Sequence, residues 1–122
     1  MKFKETNGEI LFDYYDVNME SEEMAFSSFV SLVSNECFNI KSWRATDDGN
    51  FHDGIESYGG KTKDSFFDSL TFLNGWDKLS SINVFGSVDS VDIKIHYYRK
   101  RIKLRVDIPY QKEKIVPFLE SI

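Results

Sequence analysis

The chain has 122 residues and carries a net charge of −5, with 41% hydrophobic and 16% aromatic residues. That length suits one domain, 1–122, and 11 Phe, 6 Tyr and 2 Trp supply enough apolar area to exclude a disordered chain. One cysteine excludes an internal disulfide, no apolar run approaches the ~18 residues of a membrane span, and no apolar stretch follows Lys2 and Lys4 as in a signal peptide, so a cytoplasmic protein is expected.

Residues 9–17 are rich in strand formers and follow the turn pair Asn7-Gly8, which predicts a strand. Phe26, Phe29, Val30 and Val33 then recur at helical spacing behind Glu22 and Glu23, whose charge suits a helix start, so residues 21–34 are read as a helix. A second strand is expected over Cys37–Arg44, with Cys37 as a small buried hydrophobe. Residues 46–63 hold Gly49, Gly54, Gly59 and Gly60 among four acids and are read as one long loop. Phe66, Phe67, Leu70 and Leu73 line one face of a helix from Asp64 to Asn74, closed by Gly75.

The last third reads as consecutive strands. Ser81–Phe85 is short and apolar, and residues 86–90 are read as a turn. Val91, Ile93, Ile95 and Tyr97 alternate with polar residues, as do Ile102, Leu104, Val106 and Ile108, which predicts an antiparallel hairpin with one buried face. Two registers keep the apolar sets together. Pairing Tyr97 with Ile102 opposes Lys94 to Arg105; pairing Tyr97 with Leu104 opposes Lys94 to Asp107. Opposite charges stabilise a cross-strand pair, so the second register is expected, with its turn at Lys100-Arg101. Pro117 places the start of a terminal helix at about Val116. The fold class is therefore α+β: about five strands, mostly antiparallel, in the order β-α-β-loop-α-β-β-β-α, packed against two or three helices.

No catalytic centre, cofactor site or metal site is expected. His52 lies among Asp47, Asp48 and Asp53, but two histidines and one cysteine make a poor zinc set, and the spacing lacks the glycine of a calcium loop. Gly59-Gly60-Lys61-Thr62 fails the phosphate-loop spacing, because Ile55 stands where its first glycine belongs. Cys37 has no neighbour to activate it, and His96 reads as strand surface.

Charge is divided along the chain. Residues 1–60 carry four cations against twelve acids, a balance of −8, and residues 61–122 carry eleven against eight, a balance of +3. Two surfaces follow. Asp47, Asp48, Asp53, Glu56 and Tyr58, with Glu22 and Glu23, would form an acidic, aromatic-studded surface suited to a basic protein partner. Lys94, Arg99, Lys100, Arg101, Lys103 and Arg105 would form a basic ribbon suited to nucleic acid or another polyanion. The expectation is a non-enzymatic inhibitor that blocks a basic partner through the acidic surface. Small bacterial immunity proteins that neutralise toxins share this general character, although no motif carries the comparison. The alternatives are polyanion binding through the hairpin 94–105, and a small-ligand or enzymatic domain with an aromatic pocket.

Overall fold

A computed structural model of the chain describes residues 3–6, 8–13, 21–47, 56–72, 81–98, 101–106 and 112–121. Its elements are β1 (Lys4–Thr6), β2 (Glu9–Asp13), α1 (Ser21–Ser34), β3 (Phe38–Asp47), β4 (Glu56–Gly60), α2 (Lys63–Phe72), β5 (Ser81–Val88), β6 (Val91–Tyr98), β7 (Arg101–Val106) and α3 (Lys112–Leu119). The strands form one seven-stranded sheet in the order β1-β2-β7-β6-β5-β3-β4, with every neighbouring pair antiparallel. The α+β class holds, with seven strands where about five are expected.

Period-two alternation builds the core face. Ile10 and Phe12 of β2, Ile82 and Val84 of β5, Ile93, Ile95 and Tyr97 of β6, and Ile102, Leu104 and Val106 of β7 are all buried on one side. The helices cover that side through aromatic contacts. Phe29 of α1 stacks on Tyr97 at 5.3 Å and meets Phe66 of α2 edge-on at 6.0 Å. Phe66 in turn meets Trp43 of β3 at 5.7 Å, and Phe118 of α3 stacks on Phe38 at 5.8 Å. Each fully buried side chain of this size contributes roughly 1.5–3 kcal/mol relative to exposure.

Several expectations are corrected. Residues 46–63 are not one loop: β3 runs on to Asp47, and β4 returns along it as an edge strand, so the span between them is residues 48–55. Two devices hide this hairpin in the sequence. A β-bulge at Lys41, between the Ile40 and Ser42 pairings, switches the inward face from Phe38 and Ile40 to Trp43 and Ala45, which breaks the alternation. Gly60 then replaces an apolar residue because a Cβ there would lie 2.6 Å from Trp43 Nε1. The bare backbone lets that indole donate to Ser65 Oγ at 2.8 Å, in the first turn of α2. Thr62 caps the same helix by accepting from the Ser65 amide at 3.0 Å, so α2 starts one residue before Asp64.

The strand β5 continues through Gly86 to Val88, and the turn is Asp89-Ser90, both left-handed at φ 49° and 67°. A side chain at Gly86 would strike the Phe38 ring, 2.6 Å from Cζ, and the Asn39 carbonyl. The glycine is thus a packing requirement and not a turn signal. The helix α3 starts at Lys112 with Pro117 inside it. Proline there forfeits one helical hydrogen bond, yet Ile115, Phe118 and Leu119 are buried, and that burial outweighs the loss. Cys37 is exposed, not buried. It lies in the turn between α1 and β3, where its amide donates to Asn35 Oδ1 at 2.8 Å. The strand expected over residues 9–17 is described to Asp13, and the residues beyond it lie outside the described part, as do Leu73, Asn74 and Gly75. No described helix is long and apolar enough to cross a membrane.

Candidate functional site

The hairpin β6–β7 takes the register that sequence reasoning rejects. Tyr97 pairs with Ile102, Lys94 with Arg105, His96 with Lys103 and Tyr98 with Arg101. Like charges therefore face each other between these two strands. The compensation comes from β2 on the other side of β7, where Glu9 pairs with Arg105 and Asp13 with Arg101. Glu9 carboxylate oxygens lie 3.4 Å from Lys103 Nζ and 3.7 Å from an Arg105 guanidinium nitrogen, and Asp13 accepts from Arg101 Nε at 3.3 Å. A two-strand calculation has no access to these acids, which are about 90 residues away in sequence.

The polar residues of the alternating strands all fall on the sheet face opposite the helices. Following the pairings sideways gives rows that run across five or six strands. One row is Leu11, Lys103, His96, Asn83, Arg44 and Gly59. The next is Glu9, Arg105, Lys94, Phe85 and Ser42. Across β2, β7, β6, β5 and β3, this face holds the cations Lys41, Arg44, Lys94, Arg101, Lys103 and Arg105 against the acids Glu9, Asp13 and Asp92. A chain that is acidic as a whole thus presents a locally basic surface.

Three rings stand among these charges. Phe85 is 37% exposed and Tyr98 is 41% exposed. Lys41 pairs with Asp92 at 2.6 Å and places its ammonium 5.3 Å from the centre of the Phe85 ring. His96 stacks parallel to Tyr98 with centroids 6.3 Å apart. Partial burial holds the His96 pKa below its ordinary value, with Lys103 and then Lys94 adding to the effect, so the imidazole favours its neutral form.

Two shallow hollows mark this face. One, of about 270 Å³, is lined by Glu9, Leu11, His96, Tyr98, Arg101 and Lys103. The other, also about 270 Å³, is lined by Ser42, Trp43, Arg44, Asn83, Val84, Phe85 and Lys94. Arg44, Ser42, Asn83 and Phe85 are residues that sequence reasoning missed as a site. Their signal is the same alternation that marks the core, read on its polar phase, but the bulge at Lys41 hides it on β3.

The expected basic residues Lys94, Arg101, Lys103 and Arg105 are brought together, while Arg99 and Lys100 lie outside the described residues. Of the acidic set, Asp47 ends β3 directly opposite Glu56, which begins β4, and Tyr58 pairs with Ala45. Glu22 and Glu23 are in the first turn of α1, and Asp48, His52 and Asp53 lie outside the described residues. Among the described residues no group of three His, Cys, Asp or Glu is placed to hold a metal ion. Comparison with protein-family models, curated proteins and solved structures finds no match.

Proposed function

We propose that the open face of the sheet binds single-stranded nucleic acid. The observation that carries this reading is the side-by-side placement of Lys94, His96 and Tyr98 on β6 with Arg105, Lys103 and Arg101 on β7, on the face that none of the described helices covers. Cations there would track phosphates, and the rings of Tyr98, His96 and Phe85 would stack on bases, a contact worth about 1–3 kcal/mol per base. Arg101 and Lys103 are paired with Asp13 and Glu9, and all four side chains remain partly exposed to a ligand.

Fluorescence anisotropy with labelled single-stranded DNA and RNA at low salt tests this reading. Saturable binding is expected, and Arg101→Ala with Lys103→Ala should weaken it strongly while lowering the melting temperature only slightly, because the pairs these residues make are exposed. No binding to any strand in 20 mM salt would reject it.

One observation favours a second reading, in which the acidic surface blocks a basic protein, as an immunity-type protein blocks a toxin domain. The β3–β4 register sets two acids of that surface, Asp47 and Glu56, at directly opposed positions, where a cationic partner would meet both. Charge reversal at Asp47, Asp48 and Asp53 should then abolish capture of a basic partner. Unchanged capture would exclude this surface.

A further inference from the structure

We infer that the hollow between β3 and β6 is a subsite for the phosphate monoester on the sugar of a terminal nucleotide, the end of a 5′-phosphorylated strand. The inference takes its ligand class from the strand-binding reading and adds what distinguishes this part of the face.

Four of the six cations on the open face of β2, β7, β6, β5 and β3 have an acidic neighbour, in Glu9, Asp13 or Asp92. The remaining two, Arg44 and Lys94, have none among the described residues. Both line the same hollow, from β3 and β6 on either side of β5. Between them β5 contributes Asn83, and β3 contributes Ser42, an amide and a hydroxyl able to donate. Among the described residues no carboxylate lines this hollow, whereas Glu9 lines the other one.

Two uncompensated cations and neutral donors match an anion of about −1.5 to −2, which is a phosphate monoester near neutral pH. An internal phosphodiester carries a single charge and would leave one of the cations unmatched. A guanidinium offers a forked pair of donors to such a group, and an ammonium supplies a point charge beside it. Phe85 lines the same hollow at 37% exposure, and a terminal base would stack on its ring beside the Lys41 ammonium that lies 5.3 Å from the ring centre.

The test compares four ligands by titration: one 12-nucleotide single strand with a 5′-phosphate, the same strand with a 5′-hydroxyl, that strand with a 3′-phosphate, and free AMP. The 5′-phosphorylated strand should bind about tenfold tighter than the 5′-hydroxyl strand, the gain expected from one charge-assisted hydrogen bond. That preference should vanish in Arg44→Gln and in Lys94→Gln, both exposed and checked for folding by thermal melting; Arg44→Gln should keep 5′-hydroxyl strand binding, whereas Lys94→Gln, which also belongs to the strand-binding face, should weaken it. Equal binding of the 5′-phosphate and 5′-hydroxyl strands would overturn the subsite and leave strand binding standing. Preference for the 3′-phosphate would overturn the assigned polarity. Binding of AMP without any strand would overturn the strand reading and keep the monoester site, and binding of no ligand would overturn both.

Discussion

At the scale of single residues, His96 is the group on the open face whose charge can change near neutral pH. Its pKa lies below the ordinary 6.5 because burial, Lys103 and Lys94 all disfavour the charged form. The unfolded chain therefore takes up this proton more readily than the folded protein. The histidine's contribution to stability is present above pH 6.5 and is lost as pH falls through the lower folded value. Urea unfolding between pH 5 and 7.5 should show a decline that His96→Gln reduces. Binding has the opposite sign. A phosphate beside the imidazole favours the charged form, so strand affinity should rise as pH falls from 7.5 to 5.5 in the wild type and stay flatter in His96→Gln. A flat wild-type profile would place the strand away from His96.

Elements introduce dependencies that no single residue contains. The hairpin β6–β7 is one example: Lys94 opposes Arg105 and His96 opposes Lys103, and Glu9 on β2 offsets that repulsion from outside the hairpin. Glu9→Gln should destabilise the protein by about 0.5–1 kcal/mol at low salt and by less in 1 M salt, because these pairs are exposed and screened. The same change removes one acid from the open face, so it should strengthen strand binding while weakening the fold. Urea midpoints at two salt concentrations, together with anisotropy titrations, check both signs. Loss of binding in Glu9→Gln would mean that the carboxylate contacts the ligand.

Sequence reading succeeds here on within-strand patterns and fails on between-strand ones. The alternation of Ile93, Ile95 and Tyr97 and of Ile102, Leu104 and Val106 specifies a hairpin and its inward face. Within the two strands alone, opposite charges favour the register that pairs Lys94 with Asp107. The third strand changes that balance. Likewise, the glycines at 59 and 60 suggest a loop because their reason, the closeness of Trp43, lies on another strand. The exposed basic residues on β6 and β7 were legible from their alternation with the core. Arg44, Asn83 and Phe85 were not grouped with them, since only the order β6-β5-β3 makes them neighbours.

At the scale of the whole molecule, the net charge of −5 coexists with a positive sheet face. That combination limits how strongly salt should act on binding. For single strands, log K falls with log salt at a slope of about −0.7 per phosphate neutralised. Engagement of Arg44 and Lys94 alone gives about −1.4, and engagement of all six cations gives about −4. A slope within these bounds between 50 and 300 mM salt is the expected result. A slope near zero would mean that binding, if present, does not run through this face.

The sequence by itself determined the class of the fold, the inward set of apolar residues and the concentration of cations near the end of the chain, because periodicity and composition are local properties. Tertiary structure alone decided that β2 joins β7, that all three helices cover the same side, and that Arg44 comes to share a hollow with Lys94. Those outcomes depend on which distant surfaces bury each other most completely, and that is a property of the packed chain as a whole.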